Sequence, residues 1–369
     1  MKLSFKNRRG RAIAAAIITA GLLMPLPASK ASQEGTPVRI IQNATDKYII
    51  PAFQQFNGAA GDLRQHIEQL CAIPSNAQLA KVRADFDRLV SNWSSISIVR
   101  IGPILQHNRL EKLLFWPDRR GIGLRQIQAI LAKQDETAIS AGGLSQKSVA
   151  VQGLAALEYV LYGKGSETLG QKTDGFRCRF AKAISTNVDT ISGQLLTEWQ
   201  APDGFAHSWQ YPAANNPLYR DEKESLSALV SLFSNGLEFY DTVEMGAFLG
   251  ITPEKDRPRR ALFRRSGNTL KSLQTSLSDI QEFYRQSELA SLLPEGSDWI
   301  NEAIEFGFRH GIANLDALDG SATDMLANPQ QRAKLAYVRT VVRGLNENFG
   351  IDMTAALDLT ANFSSLDGD

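Results

Sequence analysis

The sequence predicts an all-α protein, and three observations carry that expectation. Apolar residues recur at three- and four-residue spacing through most of the chain. No alternating strand pattern flanks an Asn-Gly or Asp-Gly turn. Ser, Asn, Gly and Pro stand where helices need caps and stops. With 369 residues, 43% hydrophobic and 21% charged, the chain can bury a large core and is long enough for about two domains.

Residues 1–31 read as a secretory signal peptide. Lys2, Lys6, Arg8, Arg9 and Arg11 form a basic start, Ala12 to Leu23 is a short apolar run, and PLPASKAS supplies small residues for cleavage after Ala31 or Ala28. The apolar run is too short to span a bilayer. No cysteine lies near the cleavage position, which argues against a lipid anchor. Arg8-Arg9 lacks the apolar residues that twin-arginine export wants after the pair. Removing six basic residues and no acid takes the net charge from +1 to −5, a poor balance for binding nucleic acid. No later apolar run reaches spanning length, so a periplasmic, non-spanning protein is expected.

The helices expected in order are Asp46 to Ala72, Asn76 to Ile98, Asn108 to Phe115, Gly123 to Ala132, Ser145 to Tyr162, Gly175 to Gln200, Lys223 to Gly246, Ala261 to Ser287, Pro294 to Leu318 and Pro329 to Asn346. Ser75 and Ser145 offer N-caps, and Gly163 sits where a C′ glycine would end VQGLAALEYVLYG. Three segments break the rhythm: FWPDRRGIG (115–123), the aromatic, proline-rich 201–220 and GITPEKDRPRR (250–260). The second is long enough to suggest a functional or lid-like loop and a domain boundary near residue 210. Ala156-Leu157-Glu158-Tyr159 is faintly echoed by Gly236-Leu237-Glu238-Phe239, as a duplicated bundle would produce.

Cys71 and Cys178 are the two cysteines. In an oxidising compartment they read as one disulfide, the other reading being two buried thiols. Zinc would want more ligands at closer spacing.

Chemistry-bearing motifs are sparse. The four histidines, His66, His107, His207 and His310, fall in no HExxH pattern, and no phosphate loop or dinucleotide fingerprint supports a nucleotide cofactor. His107 and Glu111 stand four apart on an expected helix and could share a metal, or be an exposed helix pair. Glu158 is a lone carboxylate in an apolar helix, so it is either clamped by a buried partner or waits for a ligand. Arg109 is the natural clamp, because guanidinium and carboxylate pair through two bonds. Tyr159 and Tyr162 flank Glu158 as core aromatics, though a tyrosine can also ligate ferric iron. Arg257, Arg259, Arg260, Arg264 and Arg265 form a basic run that is either a solvated helix start or a seat for an anion such as a haem propionate or a carboxylated chelate.

The segments LCAIPS, NRLEKLLFWPDRRGIGLRQIQ, VQGLAALEYVLYG, RCRFAKAISTN and RALFRRSGNTLKSL together resemble the imelysin-like family of bacterial envelope proteins. The resemblance implies two helical-bundle domains related by duplication, at 32–210 and 211–369, location in the periplasm, and expression linked to iron in several members. It also brings a secreted metallopeptidase into view. The family's Gly-x-His-x-x-Glu motif falls on Gly153 to Glu158, with Ala155 in the histidine slot. A methyl group cannot bind a metal, so this helix supplies at most one ligand, and a zinc peptidase wants about three. The expectation is therefore a binding component of iron or haem acquisition. Its polar site would use Glu158, Arg109, Asp118, Trp116, Gly153 and Tyr162, with Glu158, His107 and Glu111 as the metal candidates. An iron or haem ligand and an envelope transport protein are the partners implied. A metallopeptidase-like hydrolase and a non-catalytic envelope interaction module are the other readings.

Overall fold

In the computed structural model, residues 1–2 and 36–360 are described; the signal peptide expected over 1–31 lies, beyond its first two residues, outside the described residues. Helix α1 (Pro37–Asn43) starts where Thr36 accepts a hydrogen bond from the Arg39 N–H and Pro37 takes a first-turn position that needs no donor. A π-helical turn, Ala44–Ile49, carries the same helix into α2 (Ile50–Ala72). The helix therefore begins nine residues before the expected Asp46. The π turn lets it continue past Pro51, which has no N–H to give. Helix α3 (Asn76–Ile96) is capped by Ser75. The short helices α4 (Arg109–Leu113), α5 (Ile122–Lys133) and α6 (Ala141–Ser145) lead to α7 (Leu154–Tyr162) and the long α8 (Phe176–Trp199). Then follow α9 (Phe205–Gln210), α10 (Glu222–Phe239) with a second π turn at Tyr240–Met245, α11 (Thr269–Ser287), α12 (Asp298–Asp316), α13 (Ala322–Ala327) and α14 (Pro329–Glu347). No strand occurs among the described residues.

Three departures from expectation have local causes. The single helix expected from Ser145 to Tyr162 is broken, because Gly153 lies against the preceding α4. A Cβ there would sit 2.2 Å from the Leu113 carbonyl oxygen and 2.3 Å from that of Lys112. The helix expected from Ala261 begins only at Thr269, leaving 261–268 as turns in which Phe263 holds φ +53°. The segment 201–220 is a plug rather than a lid: it contains α9, whose Trp209 is fully buried and donates its indole N–H to the Ser225 carbonyl at 2.9 Å.

Helices α2, α3 and α8 pack together, as do α10, α11, α12 and α14. The two groups meet where α3 lies on α11. There the small side chains Ser94, Ser272 and Ser276 are all buried, and the Ser94 and Ser272 hydroxyls are 2.8 Å apart. The described residues from Thr36 onward form one compact unit, and the boundary expected near residue 210 falls within it. Helix α1, expected with the first bundle, packs on α10 and α11 of the second. Cys71, at the end of α2, is bonded to Cys178, in the first turn of α8, with Cα atoms 5.6 Å apart.

Candidate functional site

One face of α7 opens onto a cleft of about 460 Å³. Its second wall is the 115–124 loop and the start of α5, its third the 242–247 stretch after α10, and its rim the turns 259–265. The position of α7 follows from Gly153, whose missing side chain lets the helix start against the backbone of α4. From there Ala155, Glu158 and Tyr159 reach the cleft, as residues three and four apart on a helix must share a side.

Glu158 is 4% exposed, and its hydrogen bonds come from within the fold. Its Oε1 accepts from the backbone N–H groups of Arg265 (2.9 Å) and Ser266 (3.0 Å) and from the Ser266 hydroxyl (3.0 Å). The Arg265 guanidinium lies 3.8 Å from Oε2 and over the Tyr159 ring. Burial pushes the Glu158 carboxyl above the usual range, against the pull of Ser266 and Arg265. The carboxylate thus anchors the 261–268 turns to α7. Those turns are held further by the buried ring of Phe263, edge-on to Phe86, which offsets a left-handed backbone that costs a non-glycine residue about 1–2 kcal/mol.

The second acid of the cleft is also engaged. Asp118 accepts hydrogen bonds from the N–H groups of Ile122 (2.7 Å) and Leu124 (3.3 Å), capping α5. Between them, Phe115, Trp116, Leu124, Ile127, Val243 and Leu262 give the cleft apolar lining, and the Trp116–Pro117 peptide is cis. Arg119, Arg259, Arg260 and Arg264 also line it, beside the Arg265 that pairs with Glu158. None of these four makes a side-chain hydrogen bond or ion pair among the described residues.

Trp116, Asp118 and Glu158 are therefore brought together as the sequence suggested, while the other candidates lie elsewhere. Arg109 does not clamp Glu158. It is buried, and its guanidinium donates to both carboxylate oxygens of Glu198, at 2.7 and 2.5 Å, and to the Pro103 carbonyl. Tyr162 is absent from the cleft lining; its hydroxyl donates to Asp87 and to the Arg83 carbonyl, and burial raises its pKa. Gly153 shapes the helix start and does not line the cleft. His107 and Glu111 do not share a helical face, since α4 begins at Arg109 and the His107 and Asn108 backbones are left-handed (φ +57° and +56°). Ser266, the residue that binds Glu158 most fully, had no signal in the sequence.

A protein-held metal fits this donor set poorly. Among the described residues no group of three or more His, Cys, Asp and Glu side chains is placed to hold an ion. Glu158 spends Oε1 on three donors, and Ala155 offers a methyl group where the motif has an imidazole. The likeness to solved structures is nonetheless broad. The fold matches an imelysin-like protein from Psychrobacter arcticum 273-4 with a TM-score of 0.72 at 16% identity, over 89% of this chain and 97% of that one. It matches equally a structure provisionally described as an iron-regulated protein A precursor, from Parabacteroides distasonis ATCC 8503: TM-score 0.72, 14% identity, 90% of this chain and 98% of that one. No curated protein matches the chain. The imelysin family model matches residues 49–347, which takes in the motif helix, the cleft and most of both bundles, and the chain belongs to the imelysin family.

Proposed function

We propose that the protein acts in the periplasm as a binding component of iron or haem uptake, holding its ligand in the cleft beside Glu158 without turning it over. One observation carries this reading: the family's motif helix presents Ala155, Glu158 and Tyr159 to a cleft of about 460 Å³, within the range of small-molecule sites. The disulfide suits an oxidising compartment. The relative provisionally described as an iron-regulated precursor supports the link to iron. With no ligand set for a bare ion among the described residues, the cargo would be iron already held in an organic complex. The same lack of ligands weighs against the peptidase reading.

The test fills the cleft without touching Glu158. Ala155 is half-buried and faces the open space, so Ala155→Phe should occupy it with little strain. Haemin and ferric citrate are titrated into the wild-type protein and the variant, with the melting temperature as the check on folding. Binding by the wild type that is lost in a well-folded variant is the expected result. Binding that survives the phenylalanine would place the ligand elsewhere and remove this reading.

A further inference from the structure

The geometry points to an organic polycarboxylate as the ligand class of this cleft, gripped through its carboxylates by Arg119, Arg259, Arg260 and Arg264 and not through any metal it carries. This rests on the reading that the cleft is a binding site. Both acids that line the cleft are spent on the fold, Glu158 on the 261–268 turns and Asp118 on the N-terminus of α5. Among the described residues the four arginines make no hydrogen bond or close ion pair with a carboxylate, though Glu158 attracts Arg264 from a distance, and they stand on two separate walls: Arg119 on the 115–124 loop, the others on the turns. Arg264 is half-buried, and its pKa is pushed down by burial first and then by Arg265 and Arg259, with Glu158 offsetting part of the shift. Arg119, Arg259 and Arg260 are exposed, so the unfavourable crowding of like charges falls mainly on the part-buried Arg264, until an anion joins it. Guanidinium forks match carboxylates through paired hydrogen bonds. Phosphate would satisfy the arginines equally, but it has no apolar surface to set against Phe115, Trp116 and Leu262. Charge on two walls and an apolar floor together ask for an organic body with at least two carboxylates.

The probe is benzene-1,3,5-tricarboxylate, titrated calorimetrically into the full mature protein at low salt, with benzoate as the single-carboxylate control. Saturable binding is expected, at least about tenfold tighter than benzoate, and at least about thirtyfold weaker in Arg260→Ala/Arg264→Ala. Arg119→Ala tests the opposite wall, and each variant is checked for an unchanged melting temperature. No binding to the folded protein, or binding indifferent to the arginine substitutions, would overturn the inference. Haemin and ferric citrate are run alongside. If either binds while the tricarboxylate does not, this inference fails and the iron reading stands. If the tricarboxylate binds while neither haemin nor iron is taken up, the inference stands and the iron reading fails.

Discussion

Glu158 shows how a buried charge can be fixed by groups remote in sequence. Its partners Arg265 and Ser266 are 107 and 108 residues away, and no spacing rule links them. Arg109 is the chemically apt clamp, since guanidinium and carboxylate pair through two bonds, but it is satisfied by Glu198 and Pro103. The residue type was legible, the pairing was not. Two substitutions separate the roles of Glu158. Glu158→Gln keeps an acceptor for the three donors and trades the 3.8 Å attraction to Arg265 for relief of a charge that burial disfavours, so stability near neutral pH should change by less than about 1 kcal/mol. Glu158→Ala strands two backbone N–H groups and a guanidinium, the Ser266 hydroxyl keeping the Phe263 carbonyl as acceptor, and about 3 kcal/mol or more is expected. Denaturant unfolding of the two variants decides it: equal losses would show that the turn is not held through this carboxylate.

At the scale of elements, long periodic helices were readable and their interruptions were not. Helices α3, α8 and α14 fall within two residues of the expected spans. The break before α7 arises from the carbonyls of α4, and the late start of α11 from turns built around Phe263. The π turn after α10 has its own consequence. Thr242 and Val243 face the cleft, while Glu244 is buried near Arg100 with Oε2 lacking a hydrogen-bond partner. Burial pushes the Glu244 carboxyl up to about 7, offset in part by Arg100. The folded-state value lies above the unfolded one, so the folded protein holds a proton that the unfolded chain has released between about pH 4.5 and 7. Stability is complete below this window and falls as pH rises through it. Glu244→Gln should match the wild type near pH 4.5 and exceed it at pH 8 by up to about 3 kcal/mol. Melting temperatures that track each other across that range would show that Glu244 does not titrate there.

The whole molecule was legible as an all-α chain with paired cysteines, because helical periodicity and cysteine number are properties of the sequence itself. How its two halves join was not, since that depends on small residues such as Ser94 and Ser272 meeting across a contact. The cleft followed the same pattern: Trp116, Asp118 and Glu158 were within reach, and the 242–247 wall was not. The disulfide joins residues 107 apart, and a loop of that length restrains the unfolded chain by about 4–5 kcal/mol in the chain-entropy picture. Cys71→Ser/Cys178→Ser should lose most of that amount in denaturant unfolding, with the native helical content unchanged. A loss below about 1 kcal/mol would mean that the unfolded state is already constrained in other ways.

Helix α1 adds a constraint in time. It is the first of the described helices to be synthesised, yet α10 and α11, on which it packs, begin about 180 residues or more further along. A partly made chain therefore carries an uncovered apolar helix until those partners are made. The fold closes only when the last-made half arrives to receive the first.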